Sequence, residues 1–350
     1  MSAPSRLRSR LALMFLLAVA VVAAAMLGLC LGSSSIALSR VIGSLIPAIG
    51  AGLDPPPGAF EIGTVLQLRL PRVVLALLVG ASLAQSGAAM QGLFRNPLAD
   101  PGLIGVASGA AFGAALAILL GRQAPESMRI VSIPLAAFAG GLLSAALASG
   151  LARSDGHTRV TTLLLAGLAA NALFAAGIGF IVSIADPSAL RNISFWMFGS
   201  LAKSGWREIA LIAPILIALL LWLPRQAHAL NALQLGEAEA RHLGIDVERL
   251  KRRVLAGVVL AVACCVALSG LIGFVGLLAP HWIRLWAGPD HRTVLPASAL
   301  CGAALLATAD VIARTSFAPQ ELPVGILTAV LGAPFFLILL MRHRNRVESW

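Results

Sequence analysis

Long uncharged apolar runs alternate with short polar punctuation along almost the whole chain. A helix that crosses a bilayer needs about 20 mostly apolar residues, each rising 1.5 Å. Runs of that kind cover Leu11–Leu31, Val73–Gln91, Leu103–Leu120, Ile130–Ala152, Thr161–Ala185 and Ile209–Leu223. Three more follow at Val254–Ile283, Val294–Ile312 and Val324–Met341. The region Val254–Ile283 is too long for one span, and Gly270, Gly273 and Gly276 interrupt it. It reads as one full helix and a second starting near Gly273, which brings the expected total to ten. The predicted fold class is therefore all-α: one polytopic transmembrane domain over residues 1–350, with 225–253 as its longest polar interruption.

Within these runs, Gly105, Gly109 and Gly113 recur every fourth residue, a spacing that allows close helix–helix approach in lipid. Pro134, Pro214, Pro280, Pro296 and Pro334 predict kinks, tolerable only where protein or a water-filled path meets the freed carbonyls. Most of the tryptophans fall near proposed span ends, where amphipathic rings favour the interface.

Composition removes the alternatives to a membrane protein. Of 350 residues, 59% are hydrophobic and 12% charged, and the mean hydropathy is +0.91. A soluble domain carries roughly twice that charged fraction, and disorder needs the opposite bias. The net charge of +11 comes from short segments between apolar runs, without the continuous basic stripe of a nucleic-acid-binding protein. With the N-terminus cytoplasmic, 17 of the 26 Lys and Arg fall inside and 9 outside, as the positive-inside rule expects. Both termini are then cytoplasmic. The basic Met1–Arg10 leads into an apolar run longer than a signal-peptide core, so a retained first span is expected. The cysteines Cys30, Cys264, Cys265 and Cys301 lie in apolar runs without metal-site or disulfide spacing; no metal site is expected.

Two classes of transporter compete. A gradient-driven carrier places ionisable groups within its spans as ion or proton relays. Here Asp310, near the outer end of the ninth span, and His281, in the interrupted eighth, stand without an evident partner, and both read as helix-end or packing residues. ATP hydrolysis by the chain itself is not expected: a phosphate-cradling loop needs Gly-Lys-Ser/Thr, and Lys203 and Lys251 follow Ala202 and Leu250. An ATPase would be a separate subunit. A structural or signalling role has no positive feature. The segment Arg225–Arg253 is where such a subunit would be contacted. Within it, Gly236 and Gly244 bracket an amphipathic stretch with Ala240 and Leu243 three apart, predicting two short helices along the membrane surface.

Five segments in order over Arg69–Met341 carry a resemblance. They are Arg69-Leu-Pro-Arg72; Gly80–Gly87 running through Gln91 to Arg95-Asn-Pro-Leu-Ala-Asp-Pro101; Leu235–Gly244; Gly270–His281 with Arg284; and Ala309-Asp310, Arg314 and Glu321–Gly325. The chain resembles the FecCD-type iron-chelate, haem and cobalamin permeases of bacterial ABC importers.

The resemblance implies a homodimer in the inner membrane, two ATP-binding subunits that use ATP and Mg, and a soluble substrate-binding protein above. No cofactor is expected on this chain. Leu235, Gly236, Glu237, Ala240, Arg241, Leu243 and Gly244 would fit a cleft on the ATPase. Asn96, Pro97, Leu98, Thr161 and Thr162 would belong to a cytoplasmic gate, and Asn171 to the fifth helix lining the path. Arg69, Arg72 and Arg314 match positions that pair with glutamates of the binding protein, as rim-exposed charges. The run Arg95–Gly109 is most similar to haem permeases, with a ferric siderophore or cobalamin as the alternatives of the same type. His281 is the one histidine within a span, so tight haem binding by this chain is not expected.

Overall fold

The computed structural model describes residues 3–347 except 33, 155–156 and 203–204. Side chains of 3–9, 154, 157–158, 339–340 and 342–347 are not described, so Lys203 and the side chains of Arg6, Arg8, Arg342, Arg344 and Arg346 lie outside it.

Ten long helices carry the apolar runs: α1 Ala3–Cys30, α2 Leu70–Phe94, α3 Val106–Leu120, α4 Glu126–Leu151 and α5 Val160–Ile184. The rest are α6 Trp206–Trp222, α7 Val247–Ser269, α8 Val275–Ala287, α9 His291–Thr315 and α10 Val324–Val347. Eight helices are long and apolar enough to cross a membrane by themselves. The exceptions are α8, whose 13 residues rise only about 20 Å, and α10, whose described apolar part is Val324–Ile338. A two-residue antiparallel pair, Arg153–Ser154 with His157–Thr158, is the only strand pairing among the described residues.

Burial sorts the helices into a centre and a periphery. α2 is buried along 83% of its most apolar stretch, against 22% for α1 and 17% for α6. Its small residues make that place available. A Cβ on Gly80 would strike the Gly302 carbonyl of α9, and one on Gly87 the Gly276 carbonyl of α8. Without a hydrophobic drive between helices in lipid, such close backbone contact supplies the association through dispersion. α9 also packs along α1, while α3 and α4 form a second intimate seam. There Gly109 and Gly113 abut the backbone of Gly140 and Ala136, as their spacing predicts. Gly105 instead takes a left-handed turn, φ +89°, that starts α3.

The interruption in the seventh region is real. α7 stops at Ser269, Gly270 takes φ +67°, and α8 starts at Val275. The break is held by the loop after the short helix Pro187–Met197: Ser200 N–H donates to the Ser269 carbonyl at 2.8 Å. That helix, an amphipathic outer helix Leu38–Leu45, and the π-helical turn Thr64–Arg69 that leads into α2 are not predicted by the apolar runs.

Candidate functional site

Polar side chains collect at the two ends of the bundle. At one end the C-terminus of α1 meets the start of α2 and the end of α9. The last carbonyls of a helix have no partner within it, and cations near them are favoured by the helix dipole. Arg69 donates to the Leu29 carbonyl at 2.7 Å and the Cys30 carbonyl at 2.8 Å, and Arg314 donates to the Gly28 carbonyl. Arg72, one turn into α2, forks onto Asp310: its Nε lies 3.0 Å from one carboxylate oxygen and a terminal nitrogen 2.9 Å from the other. Its remaining terminal nitrogen reaches Glu321 at 2.8 Å. Asp310 also faces Arg314 at 3.7 Å.

This arrangement corrects two expectations. Asp310 has partners, on α2 and on its own helix. The rim exposure expected of Arg69, Arg72 and Arg314 is absent: all three are buried in this chain, at 5%, 9% and 4% exposure. Arg72 and Arg314 are paired with carboxylates inside the fold, Arg69 is held by backbone carbonyls, and Glu321 is the one half-exposed member of the cluster.

At the other end the 225–253 segment folds into two short helices, Ala227–Leu233 and Glu237–His242. Gly236 joins them at φ +131° and ψ 156°, a backbone that side-chain-bearing residues avoid. Leu230, Leu233 and Ala240 turn into the bundle and are fully buried. Leu235 and Leu243 stay 67% and 63% exposed amid polar neighbours. Ala240 and Leu243 therefore differ in burial: Ala240 packs against the bundle, while Leu243, which caps the C-terminal end of the helix with its N–H on the Glu239 carbonyl at 3.0 Å, stays exposed. Glu237 accepts from Arg241 at 3.4 Å and from Lys251 of α7 at 2.8 Å, so it braces the segment.

The segment is latched to the start of α9. The Asn231 side chain accepts from the His291 backbone N–H at 2.9 Å and donates to Asp290 at 2.7 Å. Asp290 caps α9 through the Arg292 N–H and takes Arg10 of α1 at 2.8 Å. Burial pushes the Asp290 carboxyl up, but the bonds from Asn231, the Arg292 N–H and Arg10 outweigh it and hold the group below the usual range. Nearby, Arg284 of α8 donates to the Gln91 side chain of α2, which in turn donates to the Gly276 carbonyl at 3.3 Å.

Of the expected gate and coupling residues, Thr161, Glu237 and Arg241 meet in one cleft of about 440 Å³. Arg95 from the end of α2, Arg159, Val160 and Thr161 from the start of α5, Glu237 and Arg241 from the segment, and Lys251 line it. Beside it, Asn96 and Pro97 are exposed, and the Asn96 side chain accepts from the Leu98 N–H at 2.9 Å, a local turn that stiffens the loop. Thr162 is half-buried. Asn171 sits apart: it donates to the Gly102 carbonyl at 3.4 Å and takes the Ser108 hydroxyl, bracing α5 against the start of α3. Sequence reasoning passed over Asn231, Asp290, His291 and Arg10; no local spacing marks residues that meet across such separations. No cluster of three or more metal-ligating side chains occurs among the described residues.

A family model, described as the FecCD transport family, matches residues 17–342. The chain belongs to the FecCD transport family. It is a membrane permease subunit of an ABC transporter, a type of subunit that is not itself an enzyme. It is 46% identical to the hemin transport system permease protein HmuU of Yersinia pestis over 281 residues, covering 80% of this chain and 84% of that one. It is 42% identical to the cobalamin import system permease protein BtuC of Halobacterium salinarum over 314 residues, covering 86% and 83%. A solved metal-chelate-type ABC transporter in an inward-facing conformation superposes with a TM-score of 0.82 at 34% identity, over 94% of this chain and 98% of that one.

Proposed function

We propose that this permease carries haem into the cytoplasm of a bacterium across the inner membrane, driven by a separate ATPase seated on the 227–244 segment. The observation that carries the ATPase contact is the pair of exposed leucines, Leu235 and Leu243, on an inner-end segment whose other two leucines, Leu230 and Leu233, are buried. Exposed apolar groups rimmed by charge mark a protein contact. Arg241 and Gly244 flank them on the exposed side, while Gly236, Glu237 and Ala240 set the shape of the segment. In this reading two copies form the path, two ATPase subunits lie below, and a binding protein delivers substrate from above. Asn96, Pro97, Leu98, Thr161 and Thr162 shape the inner exit. Arg69, Arg72 and Arg314 serve the binding protein indirectly, by fixing the ends of α1, α2 and α9 that form its landing surface.

Haem is favoured by the relation to the hemin permease over four fifths of the chain. Cobalamin is the second reading, because the cobalamin permease aligns over a longer stretch at 42% identity. The discriminating experiment reconstitutes the permease with its ATPase and binding protein and measures uptake of haem, cobalamin and a ferric siderophore side by side. Selective haem uptake supports the assignment; selective uptake of either other ligand replaces it.

A further inference from the structure

We propose that the inner-end cleft is a binding site for a phosphate group, carried by an anionic phospholipid headgroup or free in solution. Four cations, Arg95, Arg159, Arg241 and Lys251, line it against two carboxylates, Glu237 and Glu248. The carboxylates are already engaged: Lys251 lies 2.8 Å from Glu237 and 3.1 Å from Glu248, and Arg241 lies 3.4 Å from Glu237. Arg95 and Arg159 are exposed, and among the described residues neither forms an ion pair. The cleft thus holds two positive charges in excess.

Two backbone features add to that excess. Arg95 ends α2 in the left-handed conformation, φ 50° and ψ 34°, where glycine is the ordinary choice. An arginine there is accounted for by its side chain, which faces the cleft. The N-terminus of α5 has no side-chain cap, so its first N–H groups lie open beside Thr161 and the partial positive charge of a 25-residue helix adds to the field. The volume of about 440 Å³ suits a headgroup. Leu93, Phe94, Val160 and Leu233 provide an apolar wall for the glycerol and acyl stems. Basic pockets between membrane helices on the cytoplasmic side are suited to acidic lipid headgroups. A bound phosphate would tie the docking segment to α2 and α5, and so bear on coupling. The proposal rests on the assignment of this end to the cytoplasm.

The test uses the full chain in dodecyl maltoside micelles doped with phosphatidylglycerol or phosphatidylcholine. Native mass spectrometry reads retained lipid, thermal unfolding reads stabilisation, and inorganic phosphate serves as competitor. Phosphatidylglycerol should be retained over phosphatidylcholine, and the double variant Arg95→Gln/Arg159→Gln should weaken retention about tenfold or more, the scale of one lost charged contact. Arg95→Lys/Arg159→Lys should keep most of it, and Arg249→Gln, outside the cleft and paired with Asp246 at 3.2 Å, should keep all of it. Displacement of lipid by inorganic phosphate supports the site with free phosphate as its source; resistance to displacement supports the lipid. Equal retention by the wild type and the double glutamine variant overturns the proposal, as does no preference over phosphatidylcholine together with no stabilisation by phosphate. No chelate or ATPase takes part, so failure here is separate from failure of the transport assignment.

Discussion

A carboxylate buried between two guanidiniums cannot be replaced alone without leaving charge stranded. Asp310 is 2% exposed and faces both Arg72 and Arg314, so Asp310→Ala should destabilise the permease by about 3–5 kcal/mol, the range for breaking a buried ion pair. The check is the thermal midpoint in detergent. A loss below about 1 kcal/mol, the value of an exposed pair, would mean the cluster is solvated. At the inner end, Asp290 gives a pH prediction. Its folded pKa is depressed, so its contribution is present above the ordinary carboxylate value of about 3.9 and lost as pH falls through the lower folded value. The latch to Asn231 and Arg10 should therefore hold unchanged from neutral pH down to about 4. Hydrogen exchange over Asn231–Gly236 checks this; loosening between about pH 7 and 5 would contradict it. The motif singled out Arg69, Arg72 and Arg314 as exposed docking charges, and the fold buries all three. Their burial was not legible, because the partner of Arg72 lies 238 residues further on and only packing brings the two together.

At the scale of elements, the apolar runs located every long helix, though α1 and α7 begin at Ala3 and Val247, well before the runs at Leu11 and Val254, and the glycines placed the break before α8. What they missed is short: Leu38–Leu45 and Pro187–Met197 are shorter than a span and leave no long apolar signature. The pattern also failed at Ala240 and Leu243, where spacing by three implied one face. Ala240 is fully buried against the bundle, whereas Leu243, at the C-terminal end of the helix, is 63% exposed. That difference makes a sharp test of the docking segment. Leu243→Asp, on the exposed side, should leave insertion and thermal stability within about 0.5 kcal/mol while abolishing transport. Ala240→Asp, which buries a charge, should destabilise the segment and lower the amount of folded permease instead. Retained uptake and substrate-stimulated ATP turnover in Leu243→Asp would remove the ATPase from this surface. In the centre of the bundle, Gly87→Leu should prevent α2 from seating on α8 and cost most of the folded yield, read by size-exclusion chromatography.

The whole molecule joins its two ends through a rigid middle. α9 starts at the latch that holds the docking segment and ends at the cluster that holds α1 and α2. Its path between them is close-packed on α2. No chain of carboxylates crosses that middle among the described residues: the acid–base pairs lie at the ends, where they fix helices. Among the described residues the bundle shows no ion relay, and the exposed leucines of the 227–244 segment offer a surface on which an ATPase can act. The direct measurement is uptake into proteoliposomes that hold the assembled transporter, with ATP and Mg inside and an uncoupler added. Uptake should continue at an unchanged rate under the uncoupler and stop when internal ATP is withheld. Abolition of uptake by the uncoupler at unchanged internal ATP would show a gradient-driven carrier and contradict the account.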